Sequence, residues 1–238
     1  MVSAIFVSAT GTGVGKTFVT AGLIRCCRAR GETVSALKPV VSGFDPAAWA
    51  GSDPAALLAA LGSAVTIAEL ERISPWRFAA PLSPDMAAAR EGRAIEFAAV
   101  ADFCRTAVAA HRSRLLIEGI GGIMVPLDAR RTVLDLMVEL RLPLLLVAGS
   151  YVGTISHTLT ALEVLARRDL DVAAVAVSES ARSAASLEDT VAALARFSDS
   201  VDVVGIPRLA DTAASHPAFA RIAGVIADLK QRLPSPPL

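Results

Sequence analysis

Six short apolar runs recur along this chain: Ile5-Phe6-Val7, Val34-Ser35-Ala36-Leu37, Leu115-Leu116-Ile117, Leu144-Leu145-Leu146-Val147, residues 172–177 and residues 201–204. Most are apolar without a break. Half-exposed strands alternate apolar with polar residues, whereas strands covered by helices on both faces do not, so the pattern predicts a mostly parallel, fully buried sheet. Helical spacing fills the gaps between the runs, roughly over 17–30, 53–61, 96–111, 132–140, 156–168, 186–197 and 217–232. Regular alternation of strand and helix specifies a doubly wound α/β fold with right-handed crossovers, whose ligands sit outside the carboxyl ends of the strands. Residues that carry chemistry are therefore expected directly after strands.

The segment 73–84 breaks the alternation with Pro75, Pro81 and Pro84, and with Trp76 and Phe78 between them. It reads as an ordered loop over a site or an interface, without secondary structure of its own. No Pro/Gly/Ser-rich linker divides the 238 residues, which predicts a single domain over 1–238. Pro234-Ser235-Pro236-Pro237 marks a tail, from about 233 to 238, that is expected to fray.

Composition narrows the partners. Twenty-three basic and twenty-three acidic residues leave no net charge, so there is no electrostatic footprint for nucleic acid or an anionic membrane. The hydrophobic share of 53% and mean hydropathy of +0.54 are high, yet much of this is alanine. No apolar run approaches the roughly 20 residues needed to span a bilayer. Met1 leads directly into the first strand without a basic region or cleavage site, so a cytoplasmic location is expected. Cys26, Cys27 and Cys104 are odd in number and lack metal-ligand spacing, which suits free buried thiols. His111, His157 and His216 lie in helices or turns and are assigned no catalytic role.

The first strand runs into Ala9-Thr10-Gly11-Thr12-Gly13-Val14-Gly15-Lys16-Thr17, and a helix follows. Such a loop binds phosphates. Glycines let backbone N–H groups curl inward, the helix offers its positive N-terminus, Lys16 supplies charge for the β- and γ-phosphates, and Thr17 offers a hydroxyl to Mg²⁺. The usual pattern G-x-x-x-x-G-K-[ST] would place its first glycine at position 10, where this chain has Thr10.

Three further clusters follow predicted strands or open a helix. Lys38-Pro39-Val40-Val41-Ser42-Gly43 could add a second ammonium to the crevice, or end a strand with a surface lysine. Leu115-Leu116-Ile117-Glu118-Gly119-Ile120-Gly121-Gly122 ends an apolar strand in a carboxylate suited to Mg²⁺, followed by glycines that let backbone approach a ligand. The same carboxylate could instead cap a helix or pair with a base. Gly51-Ser52-Asp53-Pro54 opens a helix, with Asp53 either the N-cap or a third member of a Mg²⁺ set with Thr17 and Glu118.

In their order and separations, these segments together with Pro81-Leu82-Ser83-Pro84 and Gly205-Ile206-Pro207-Arg208-Leu209 resemble the dethiobiotin synthetases, over residues 3 to 210 or so. The resemblance implies a P-loop NTPase fold and a cytoplasmic homodimer. It also implies ATP- and Mg²⁺-dependent ring closure of 7,8-diaminononanoate with CO₂ to dethiobiotin, through a carbamate that ATP phosphorylates. By matching positions, Lys16 would hold the phosphates and Lys38 would stabilise the carbamate and the transferring phosphoryl. Gly13, Val14, Gly15, Thr17, Phe18, Gly119, Ile120 and Gly121 would surround the nucleotide, with Ser178, Glu179, Pro207, Arg208 and Leu209 at its base. Thr17, Asp53 and Glu118 would hold Mg²⁺. Thr12, Ser42 and Gly122 would meet the diamine or its carbamate, while Tyr151 and Val152, in the stretch 150–154, would reach its carboxylate tail across the dimer interface.

The chain departs from that family at four places. Ala9 replaces the first loop glycine, Gly13 stands where Glu is frequent, and Asp85 replaces a common His. Ser178-Glu179 stands where Asn-Asp or Asn-Glu is usual, and a serine cannot reproduce the two base contacts of an amide. The alternative reading is a switch ATPase resembling ParA or MinD. Those proteins carry a lysine at the position of Gly11, and here that lysine is missing.

Overall fold

The computed structural model describes residues 4–198, 201–209 and 216–232; the tail from 233 lies outside the described residues. In chain order the elements are β1 (Ala4–Ala9), α1 (Lys16–Ala29), β2 (Val34–Leu37), β3 (Val40–Ser42), a short 3₁₀ turn (Trp49–Gly51), α2 (Asp53–Leu61), α3 (Ile67–Ile73), β4 (Trp76–Phe78), α4 (Pro84–Arg90), α5 (Phe97–Ala110), β5 (Arg114–Glu118), α6 (Val133–Leu140), β6 (Leu144–Gly149), α7 (Thr154–Arg167), β7 (Val172–Ser178), α8 (Leu187–Phe197), β8 (Asp202–Ile206) and α9 (Pro217–Arg232).

Six strands form one sheet in the order β2-β5-β1-β6-β7-β8, and every pairing is parallel. The unbroken apolar runs explain this arrangement: β1, β5 and β6 are buried along their whole length, as strands with helices on both faces must be. Around the sheet α1 packs on α2 and α9, α5 on α6, and α7 on α8. The chain leaves β1 for the edge strand β2, returns to β5 beside β1, and then crosses to β6 on the opposite flank. The strand order thus reverses at β1, which opens a crevice at its carboxyl end.

Local chemistry sets the helix starts. Thr132 and Asp135 form a reciprocal capping box before α6, and the Ser186 hydroxyl accepts from the Asp189 N–H at the start of α8. At α2 the structure corrects one expectation. The N-cap is Ser52, whose hydroxyl accepts from the Ala55 N–H at 3.4 Å, and Asp53 is the first helical residue. Its carboxylate is thereby free of capping duty.

A second correction concerns 73–84. Trp76–Phe78 forms β4, paired in parallel with β3, and helices α3 and α4 flank it. Pro39 has no N–H to continue the β2 ladder. Beyond it the chain turns into a small second sheet, where the Trp76 N–H donates to the Pro39 carbonyl and Trp76 meets Phe103 edge-on. These contacts come from distant residues, so local propensity does not announce the strand. The small sheet carries Ser42 at its end.

Candidate active site

The phosphate loop grows out of β1. The Thr10 N–H donates to the Val147 carbonyl, extending the ladder by one residue before the backbone turns. Gly13 and Gly15 have φ of +73° and +94°, which an L side chain rarely adopts. Gly15 caps α1 with no side-chain acceptor, leaving the first N–H groups of a 14-residue helix available to an anion. It is also pressed against β7, since a Cβ at Gly15 would lie 2.6 Å from the Ser178 Oγ. From the other side the Glu118–Gly122 turn closes in, and a Cβ on Gly122 would meet the Thr10 carbonyl oxygen at 3.2 Å.

At the floor, charged groups meet from four elements. Lys38, at the end of β2, is 2% exposed and donates to Glu118 Oε1 and to the Gly119 carbonyl, both at 2.8 Å. Its Nζ is 3.5 Å from Asp53 Oδ2 at the start of α2. Glu118, at the end of β5, is fully buried, and its Oε1 also accepts from the Thr17 hydroxyl at 2.7 Å. Lys16 donates to the Gly121 carbonyl at 3.1 Å. Burial, and after it the nearby Lys38 ammonium, draws the Lys16 ammonium down to about 8, against the opposing pull of Glu118 and Asp53. A cleft of about 320 Å³ opens over these groups, with Thr12, Phe18, Ser42 and Ile120 on its walls. Val41 joins them, a lining residue that the sequence reading leaves out although it lies within the Lys38–Gly43 segment.

Glu118 Oε2 is buried with no hydrogen-bond partner among the described residues. A carboxylate oxygen left in that state, next to a hydroxyl and a second carboxylate, suits a hard cation that takes its remaining ligands from phosphate and water. Among the described residues no cluster of three or more His, Cys, Asp or Glu could hold a metal.

A second cleft, of about 360 Å³, adjoins the first across Gly13, Gly15 and Phe18. The carboxyl ends of β7 and β8 build it, through Ser178 and Glu179 on one side and Pro207, Arg208 and Leu209 on the other. The Glu179 N–H donates to the Ile206 carbonyl, and its Oε2 accepts from the Arg208 N–H at 2.7 Å, which ties the two strand ends together. Ser180 and Ala181 also line it and are missing from the sequence reading, although they directly follow Ser178-Glu179.

Other expected residues lie apart. Tyr151 and Val152 line neither cleft; they sit in a separate hollow at the start of α7, where Val152 is 81% exposed and the Tyr151 hydroxyl bonds to His157 Nδ1 at 2.8 Å. Gly122 packs on the phosphate loop itself. Asp85 is in the first turn of α4, and its Oδ1 is buried without a partner among the described residues. No described helix is long and apolar enough to cross a membrane.

A six-stranded parallel sheet with a glycine-rich loop, Gly15-Lys16-Thr17 and a carboxylate on a neighbouring strand end defines a P-loop nucleoside triphosphatase fold. Solved structures of MinD share it. MinD with Mg-ADP from Pyrococcus horikoshii matches with a TM-score of 0.55 at 16% identity, over 97% of this chain and 98% of that one. The MinC:MinD complex from Aquifex aeolicus matches with a TM-score of 0.54 at 15% identity, over 99% and 98%. At such identities the likeness concerns the fold alone. A family model described as an AAA domain matches residues 3–216. The ATP-dependent dethiobiotin synthetase BioD of Methylobacterium nodulans is 50% identical over 200 residues, which are 82% of this chain and 88% of that protein. The enzyme of the same name from Caulobacter sp. K31 is 49% identical over 206 residues, 86% and 88% of the two chains. The chain belongs to this AAA-domain family and, within it, to the ATP-dependent dethiobiotin synthetases.

Proposed function

We propose that this protein closes 7,8-diaminononanoate and CO₂ to dethiobiotin at the expense of ATP. The observation that carries the reading is the pair of buried ammonium groups, Lys16 and Lys38, opening onto one cleft beside Glu118. One amine of the diamine adds to CO₂ and loses a proton, giving a carbamate. A carbamate oxygen then attacks the γ-phosphorus of ATP and ADP departs, leaving a carbamic-phosphoric anhydride. The second amine attacks the carbonyl carbon and gives up a proton, inorganic phosphate leaves with the bonding electrons, and the cyclic urea closes.

The second of these steps brings two anions together, so cations must offset their repulsion where the charge develops. Lys16 has lost hydration through burial and would regain a counter-charge from the β- and γ-phosphates. Lys38, held by Glu118 and the Gly119 carbonyl, would face the carbamate and the transferring phosphoryl. Thr12 and Ser42, on the walls of the same cleft, would orient the diamine. Mg²⁺ held by Thr17, Asp53 and Glu118 would supply further positive charge to the phosphates. The base would lie between the ends of β7 and β8, against Ser178, Glu179 and Pro207–Leu209.

Tyr151 and Val152 lie outside the clefts and Val152 is strongly exposed, which supports a homodimer in which this loop completes the diamine site of the partner. One hydrophobic core runs through the described residues, which supports a single nucleotide-binding domain; we place its work in the cytoplasm, on small molecules. The test is incubation of the purified protein with ATP, Mg²⁺, bicarbonate and the diamine, with the product identified by mass. Dethiobiotin is expected, with phosphate release dependent on all four components. Phosphate release without dethiobiotin would overturn the assignment and favour a switch ATPase.

A further inference from the structure

We infer that the nucleotide pocket is tolerant of the base, and that GTP and CTP bind about as well as ATP. The inference rests on the proposed phosphoryl transfer only for the identity of the reaction; the binding argument stands on the pocket. A protein distinguishes adenine from guanine by presenting fixed donors and acceptors to the base edge, and a side-chain amide does this best because it offers both in one rigid plane. This 238-residue chain contains no asparagine and a single glutamine, Gln231. Gln231 stands near the end of α9. Phe219, early in that helix, meets Phe18 at the pocket wall with the rings tilted by 60°, so Gln231 lies twelve residues and about 18 Å further along the helix axis. No side-chain amide is on hand to read the base.

The polar side chains that line the pocket discriminate poorly. The Ser178 hydroxyl rotates, so it can donate to a 6-oxo group or accept from a 6-amino group with equal ease. Glu179 already spends one carboxylate oxygen on the Arg208 N–H. Its other oxygen only accepts, and adenine, guanine and cytosine all carry an exocyclic amino group that can donate to it. Ser180 is committed to a reciprocal pair with Ser150: the Ser150 N–H donates to Ser180 Oγ at 3.0 Å and the Ser180 N–H to Ser150 Oγ at 2.9 Å. Arg208 is exposed, and its guanidinium offers donors alone. Among the described side chains, what remains for the base is shape and stacking in a cleft of about 360 Å³, while the phosphate loop contacts a part that all triphosphates share.

The experiment is equilibrium binding of the β,γ-methylene analogues of ATP, GTP and CTP to the full chain in Mg²⁺, with dethiobiotin formation measured in parallel from the natural triphosphates. Dissociation constants within about tenfold of one another are expected, since one rotatable hydroxyl cannot separate the bases further. Ser178→Asn, which restores an amide, is expected to shift the ratio of ATP-analogue to GTP-analogue affinity at least about tenfold toward adenine. A wild-type preference for the ATP analogue of about a hundredfold or more over both others would overturn the inference, whatever the variant does. A flat binding profile without dethiobiotin from any triphosphate would instead reject the proposed reaction and leave the tolerant pocket standing.

Discussion

Replacing Lys38 by Met tests whether the floor of the cleft is at once a structural ion pair and part of the chemistry. Glu118 is fully buried, and Lys38 is the cation that balances it; without the lysine, its carboxylate keeps only the Thr17 hydroxyl and the orphaned Oε2. Removing one partner of a buried pair costs about 3–5 kcal/mol. Asp53 lies 3.5 Å from the ammonium but is half exposed, so its loss adds little. Against a total stability of about 5–15 kcal/mol, the variant folds with a much reduced margin. Urea unfolding followed by circular dichroism, without ligands, measures that loss. Adding Glu118→Gln removes the stranded charge while keeping an acceptor for Thr17, so the double variant should recover at least about 2 kcal/mol. Turnover should fall about 10²–10³-fold or more in the single variant, because no ammonium at this position stabilises the transferring phosphoryl, and stay low in the double, which also lacks the Glu118 carboxylate. Affinity for ATP should change only a few-fold, since Lys16 and the loop N–H groups remain. A cost of less than about 1 kcal/mol for Lys38→Met, or a collapse of nucleotide affinity while turnover at saturation survives, would refute both roles of Lys38.

Two further variants and reagents probe the surroundings. Gly15→Ala forces an L residue to φ +94° and sets a Cβ 2.6 Å from Ser178 Oγ, so we expect a loss of about 1–3 kcal/mol and markedly weaker nucleotide binding. Adding Ser178→Ala relieves the contact but not the dihedral, and recovery of full stability in that pair would place the cost in the contact instead. Burial pushes the Cys27 thiol up to about 11 and the Cys104 thiol up to about 12, and Cys26 is buried beside Cys27. Only thiolates react, and a raised pKa leaves little thiolate at pH 8. A disulfide reagent at that pH should therefore label none of the three before unfolding and all three in denaturant; one equivalent of rapid labelling in the native protein would contradict this.

The parts of the fold and site that are visible in the sequence share one property: each is decided by a chemistry local to its own segment. Unbroken apolar runs are enough to announce β1, β5 and β6, because no polar residue in them asks for water. Gly15-Lys16-Thr17 and the glycines after Glu118 carry their conformational demands with them. Strand β4 is different, since Trp76–Phe78 becomes a strand through β3 and Phe103, residues far away in the chain. Asp53 turns on a single position: serine and aspartate cap equally well, and only the observed bond from Ala55 to Ser52 decides which of them does. The pairing of Lys38 with Glu118 spans 80 residues and that of Lys16 with Gly121 spans 105. Both follow from β5 lying between β2 and β1, an order that crossover handedness alone leaves open. The same order explains why Ser178 matters beyond its own pocket. Because β7 lies two strands from β1, its last residue comes to rest against Gly15, so one hydroxyl stands where the base cleft and the phosphate loop meet. A larger side chain there would have to grow away from the loop and into the base cleft, which is the direction that Ser178→Asn exploits.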